Sequence, residues 1–530
     1  MKRFFFLACV ALIAADMQAQ ETYESAELAT EDLNGTARYI GMGGAMEALG
    51  ADISTISTNP AGIGLFRRSW VGASAGLTIQ KGDSYNNSVY SDKGKTNADF
   101  NQMGFVFAMQ TAQNSYFNFG FNYHKRRNFN QILNAMGSFN EKSGLSRKAG
   151  IVMNSNSFQH IIMDELVYDN FYNQGVKYMP NGTQYFGMND NEGYISEFDF
   201  NISGNIKNRL FLGLSVGVHN VNYSTMANYY ENITYETNKD INYFDTSDKI
   251  DISNYPHALE TINEKKITGT GANIKFGAIW RPIETSPFRV GLYIHTPTWY
   301  RLTMDSWEDV YTDDKSGNEL AHGWHDVSYD YRVSTPWKFG FSLGHTFSNI
   351  VALGATYEYA KYSSINGADV NSNDDHVVNS NTEASLKGVH TLKLGIEVKP
   401  VPEVAIRAGY NYQSAIYNSQ DGYKDYAEHY HDYDTYSSFY TSNDYTNWGA
   451  TNRVTFGLGF ALTKNLNLDL SYQYATQKGD YYPYSTIWGT MIQKGETIDT
   501  ASGNEEFNYT MPQKVKNNRH QLNCTLSYKF

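Results

Sequence analysis

Three segments carry the spacing of a nucleophilic serine: GASAG at 72–76, GLSVG at 213–217 and GFSLG at 340–344. In G-x-S-x-G the serine works at a strained strand-to-helix turn, where its hydroxyl meets a histidine and an acid. All three segments lie inside strand-like alternation. They read instead as small residues on a strand face against which something packs closely. No clustered serine, histidine and acid set can be assembled, so no nucleophile or enzymatic activity is assigned. GMGGAM at 41–46 has the outline of a dinucleotide loop, but it follows no strand, and Met46 stands where the last glycine belongs. His322-x-x-His325 and His429-x-His431 offer imidazoles for a metal. Both pairs fall in expected loops, without cysteine or regular ligand spacing. They read as surface decoration, and neither metal nor cofactor is expected.

The elements behind these segments are strands. NLNLDLSYQY (465–474) puts Leu466, Leu468, Leu470, Tyr472 and Tyr474 on one face and polar residues on the other. QLNCTLSYKF (521–530) repeats the arrangement up to Phe530. Side chains alternate across a strand, whereas a helix would scatter both sets. Fourteen such strands fit between residues 69 and 530, the seventh near 287–303 and the eighth near 326–346. Very short gaps such as 112–114, 207–208 and 463–464 alternate with long ones such as 81–101, 126–193, 224–265 and 417–449. Short turns on one side and long loops on the other describe an all-β, transmembrane antiparallel barrel. A large soluble sandwich would show neither that parity nor strands longer than eleven residues.

Composition agrees. Mean hydropathy is −0.51, and no run of 18 apolar residues follows the N-terminus, which excludes a helical membrane protein but not a barrel. Lys2 and Arg3 precede an apolar run from Phe4 to Ala15 and a small residue at Ala19, the pattern of a signal peptide over 1–19. Export to the outer membrane of a Gram-negative bacterium is the expectation. Removing Lys2, Arg3 and Asp16 from 42 basic and 55 acidic residues leaves a net charge of −14, which argues against nucleic acid. Only Cys524 then remains, so no intramolecular disulfide forms. Closure of the barrel allows a monomer, and the terminal Phe530 resembles the signal read by the barrel assembly machinery. Outer-membrane lipid would surround the strands.

Polar strand faces carry Arg209, Lys275, Arg289, Arg407, Arg453, Glu197, Asp199, Glu358, Glu397 and Asp469. Charges of both signs suggest a lumen network that fills the barrel or anchors a plug. The plug is sought in residues 20–68, which show no strand alternation. Glu21–Asn34 has helical spacing, and the stretch that follows is rich in Gly and Ala. Small residues fold tightly in a confined space. Pro60 fixes a backbone angle, and Asn59 can bond its own turn.

The order Thr36-Ala37-Arg38, Gly41-Met42-Gly43-Gly44-Ala45, Asp52 and Asn59-Pro60-Ala61-Gly62 resembles the FadL/TodX family of outer-membrane transporters of hydrophobic compounds. The resemblance implies a fourteen-stranded barrel with an N-terminal hatch. It also implies passive uptake of hydrophobic small molecules such as long-chain fatty acids, with sideways release. In that family the side exit goes with a kink in the third strand. Here 115–125 offers only Gly120. Pro297 and Pro336 instead stand at similar heights in neighbouring strands, which points to a break between strands 7 and 8. Two bulges above the membrane are the plainer alternative. The barrel also resembles the outer-membrane shuttle of type IX secretion, which would bind protein cargo. The His- and Tyr-bearing outer loops, notably 417–449, leave haem uptake as a third reading.

Overall fold

The computed structural model describes residues 22–84, 94–138, 178–237, 257–348, 350–369, 376–418, 444–482 and 513–530, with four short strand pieces between 487 and 508. The signal-peptide stretch, His429, His431 and most of the Tyr-rich loop lie outside the described residues. Fourteen strands form one closed antiparallel sheet: β1 (Trp70–Ser84), β2 (Lys95–Ala112), β3 (Ser115–Asn128, resuming at Gln131–Ser138), β4 (Tyr178–Ile206), β5 (Leu210–Thr237), β6 (Ala258–Trp280) and β7 (Arg289–His295, resuming at Trp299–Asp313). There follow β8 (Glu319–Ser334, resuming at Lys338–Phe347), β9 (Val351–Lys361, resuming at Asn366–Asp369), β10 (Gly388–Val401), β11 (Val404–Gln413), β12 (Tyr445–Ala461), β13 (Leu466–Tyr482) and β14 (Gln513–Lys529). Closure is complete, with β1 paired to β14 from Trp70↔Lys529 to Ser84↔Val515. A closed barrel leaves no edge, the condition for a sheet in lipid.

Alternation has the anticipated sense. Outward residues form an exposed apolar band, for instance Leu212, Leu214, Val216 and Val218 on β5 and Phe339 and Phe341 on β8. Inward residues of the same strands are polar and buried, such as Ser215 and His219. The hairpin turns use residues that tolerate positive φ, including Asn114 (61°) and the Lys207-Asn208 pair (51° and 54°). No helix among the described residues is long and apolar enough to cross a membrane.

Two expectations need correction. The gaps read as long loops are partly strand, since β4 and β5 run for 29 and 28 residues, more than twice a tilted crossing. They rise beyond the apolar band with unchanged alternation, so nothing in the sequence marks where the band ends. Arg209 lies at the turn before β5, exposed, with its guanidinium on the Pro282 carbonyl rather than in the lumen.

Candidate functional site

Residues 22–69 run inside the ring of strands. Helix α1 (Thr22–Ala29) sits near the loop ends, where Tyr23 stacks on Tyr417 at 4.8 Å and lies 5.0 Å from Tyr445. The described chain thus begins near the loop side. It then descends to the turn side before entering β1. Helix α2 (Ala37–Gly41) is capped by Thr36, whose hydroxyl accepts from the Tyr39 N–H and donates to Asp52 at 2.9 Å. Asp52 in turn caps the 3-10 turn Ile53–Ser57. Asn59 caps the next turn, Pro60–Leu65, with proline at its first position, where the missing N–H is not needed.

The Asn59-Pro60-Ala61-Gly62 turn is a key pressed into a lock of glycines. Asn59 is fully buried, and its amide donates to the Glu47 carbonyl at 3.1 Å. A Cβ on Gly277 of β6 would meet Asn59 and come within 2.8 Å of Pro60 Cδ; one on Gly213 of β5 would lie 2.5 Å from the Pro60 carbonyl oxygen. The pattern continues around the wall. Gly104 faces Ile53, Gly120 faces Ile56, Gly344 faces Leu49, Gly395 faces Met42, and Gly457 faces Gly41. Gly43 (φ 64°) lies against β11 beside Gly409, and Gly44 (φ 78°) turns the chain beside Tyr39. One small position per strand lets backbone approach backbone. Gly213 and Gly344 belong to two of the three G-x-S-x-G segments. In all three the serine (Ser74, Ser215, Ser342) is mid-strand.

Lumen charges pair with the inner segment. Arg38 and Arg407 share Glu397 at 3.1 and 2.6 Å, and Arg407 also holds Asp469 at 2.7 Å. Lys393 bridges Glu47 (3.0 Å) and Glu358 (2.9 Å), while Thr356 and Tyr39 complete the shell of Glu47. Sequence reasoning missed Glu47 and Lys393, because residues 346 positions apart leave no local signal. Glu31 meets Arg126 at 2.6 Å and also Lys338. Burial alone would raise its carboxyl, but Arg126 and Lys338 hold it well below the usual carboxylate range.

His124, Glu197 and Asp199 are buried with ligand atoms within 4.8 Å of one another, the geometry of a metal site. Yet Lys275 already binds both carboxylates, and Arg126 approaches Glu197 at 3.8 Å. Two cations balance two anions, so a divalent ion would add charge to a neutral pocket. His322, on β8, stacks on Tyr311 at 4.4 Å and faces Asp309 at 3.3 Å, while position 325 falls opposite Glu308 in the ladder.

Above this polar floor the lining turns apolar. Val221 and Tyr223 of β5, Ile267 of β6, Tyr300, Leu302 and Met304 of β7, Tyr331 and Val333 of β8, and Tyr362 pack around Tyr23, Ala26, Leu28 and Ala29 of α1. An apolar chamber thus surrounds the chain's own helix, with Lys265 of β6 paired to Glu24 of that helix at its outer side. Two open spaces beside the chamber are lined by charged and apolar residues alike. One is bordered by Glu27, Asp32, Arg127, Arg453 and Arg519, and the other by Asp32, Arg126, Lys393 and Arg453. Arg453 stands between them, held by the amide oxygens of Asn411 (3.0 Å) and Gln413 (3.4 Å) rather than by a carboxylate.

The wall changes where the lining does. Residues 296–298 of β7 and 335–337 of β8 leave the ladder, and the register on either side (His295↔Lys338, Trp299↔Ser334) sets Pro297 opposite Pro336. Neither proline has an N–H to donate. Threonine hydroxyls stand in: the Thr298 N–H donates to Thr335 Oγ1 at 2.8 Å, and the Ile274 N–H to Thr296 Oγ1 at 3.0 Å. On the next strand Tyr362–Ser364 form a 3-10 turn. Gly120 in β3, by contrast, stays in register with Val106 and Asn201.

No protein-family model and no curated protein matches the chain. Among solved structures, a Pseudomonas aeruginosa FadL homologue aligns over 94% of this chain and 99% of its own, at 11% identity and a TM-score of 0.51. The Ralstonia pickettii toluene transporter TbuX gives 13% identity and a TM-score of 0.47, and the P. putida toluene transporter TodX 12% and 0.47, each with the same coverage. The chain has the fold of the first of these, a closed fourteen-stranded barrel.

Proposed function

We propose that the protein is a passive outer-membrane channel for hydrophobic compounds with an anionic end, such as long-chain fatty acids, and that residues 22–69 act as its hatch. The observation that carries this is the stacking of an apolar chamber on a floor where Arg453 has no carboxylate partner among the described residues. Each methylene entering the chamber contributes about 0.8 kcal/mol, so a long chain competes with α1 for the same walls. The paired prolines at the chamber floor are where the wall is weakest, and sideways release is assigned there. The fold shared with the Pseudomonas aeruginosa FadL homologue supports the reading.

The charged residues that border the open spaces favour a second reading, a barrel that binds protein cargo. Binding of palmitate and hexadecanol to the detergent-solubilised protein separates the two. Arg453→Gln is expected to weaken palmitate at least tenfold, through loss of a charge-assisted contact, and to leave hexadecanol unchanged. Failure of both ligands to bind the parent protein would favour the protein-binding role.

A further inference from the structure

The ladder between β5, β6 and β7 ends on the turn side at Leu210↔Trp280 and Trp280↔Val290. One position further along, the same register sets Arg209, Arg281 and Arg289 side by side, and the Arg281 N–H donates to the Arg209 carbonyl at 2.8 Å. Arg67, where the inner segment leaves for β1, joins them by donating to the amide oxygen of Asn208. With Arg68 and Lys207, residues 64–69, 207–209 and 281–289 bring together six cations against Glu284 alone. Arg68, Lys207 and Arg209 are exposed, and Arg67 and Arg281 are half-buried.

The hydrogen bonds of these arginines go to neutral oxygens. Arg67 donates to the Gly64 carbonyl at 3.2 Å, Arg68 to Asn465 Oδ1 at 3.2 Å, and Arg209 to the Pro282 carbonyl at 3.0 Å. Arg281 donates to the Ser286 and Glu284 carbonyls at 2.7 and 2.9 Å, and Arg289 reaches inward to the Leu49 carbonyl at 2.7 Å. Carbonyls orient a guanidinium without cancelling its charge, and like charges side by side repel. The cluster faces the aqueous mouth rather than lipid. Lipid-facing positions at this end of the strands are the exposed Leu212, Trp280 and Leu292, whereas Arg67 lies inside the ring, 5.9 Å from the ring of the buried Phe211. One carboxylate matches one guanidinium fork, so this many accessible cations call for several carboxylates held together. We infer that the turn-side mouth docks a run of acidic residues on a soluble protein of that compartment, contacted by Arg67, Arg68, Lys207, Arg209 and Arg281. The chain carries 55 acidic and 42 basic residues, and a positive mouth on an acidic molecule steers an anionic partner to that one place. Gly213, Gly277 and Gly291, which seat the Asn59-Pro60-Ala61-Gly62 turn, lie just above on the same three strands. The docked segment therefore sits directly beneath the inner segment. Its docking is independent of what the lumen carries.

Binding of a fluorescent decaglutamate peptide to the full chain in neutral detergent tests this. The expected result is binding that weakens as salt rises and is at least tenfold weaker in the Arg209→Gln, Arg281→Gln variant. A Lys315→Gln, Lys361→Gln variant removes the same charge from exposed positions on the loop side and is expected to bind like the parent protein. Folding is checked in each by the heat-dependent gel shift of the barrel. Equal binding by the parent and the Arg209→Gln, Arg281→Gln variant would overturn the assignment. Displacement of the peptide by equimolar acetate would also overturn it, showing a single-anion site. So would failure of the peptide to bind at all. Native mass spectrometry showing phosphatidylglycerol on the parent protein and not on the variant would then give the row to a lipid headgroup.

Discussion

Gly213→Val is expected to open the barrel to small hydrophilic solutes, raising conductance in planar bilayers at least tenfold while the strands remain folded. A Cβ there would lie 2.5 Å from the Pro60 carbonyl oxygen, and its two nearer contacts, Pro60 C and Ala61 N, are also backbone. Neither the β5 ladder nor the capped Pro60–Leu65 turn has a flexible side chain to move aside. The turn must leave its seat, and with it the bonds of Asn59 to Glu47 and Ala278. Gly204→Val is the matched control: it lies in the neighbouring strand β4, and a Cβ there meets nothing within 4 Å. A Gly213→Val barrel as closed as the Gly204→Val one would show that the inner segment does not seal the lumen.

The second large effect is expected at Lys393→Met, which removes the cation shared by Glu47 and Glu358. Glu47 is fully buried. Removing one partner of a buried ion pair leaves an uncompensated charge and costs about 3–5 kcal/mol. Lys393 belongs to the wall and Glu47 to the inner segment, so the loss falls on the docking of that segment. Hydrogen exchange of residues 37–65 should accelerate, whereas exchange in β10 and β12 should not. Adding Glu47→Gln should restore part of the protection, because the stranded charge is then reduced. Unchanged exchange in Lys393→Met would mean that the glycine contacts alone hold the segment.

Strand count, turn parity and the sidedness of each strand were legible because alternation is a local signal that barrel closure does not alter. The inner segment was legible as a stretch without alternation, and its Asn-Pro-Ala-Gly turn as a stiff element needing a close partner. The partner was not. Gly213, Gly277 and Gly291 become one seat only when β5, β6 and β7 are aligned, and each glycine alone reads as an ordinary strand glycine. Glu47 and Lys393 escaped for the same reason. The two prolines could be set at similar height by counting from their turns, but that they are cross-strand partners follows from the register. The chamber is assembled from several strands and so left no local signal. Its occupation by α1 was not visible, since TYESAELA shows helix spacing without showing what the helix packs against.

The central claim is that the chamber around α1 takes hydrophobic ligand. Mass spectrometry of lipophiles extracted from the purified, folded protein tests it most directly, beside a variant with Val221→Asp and Ile267→Asp on the chamber wall. The account predicts a stoichiometric apolar compound with an acidic end in the parent protein and its loss from the variant. An empty parent protein that also fails to take up added palmitate would contradict it, and the outer loops would then be examined for a protein partner.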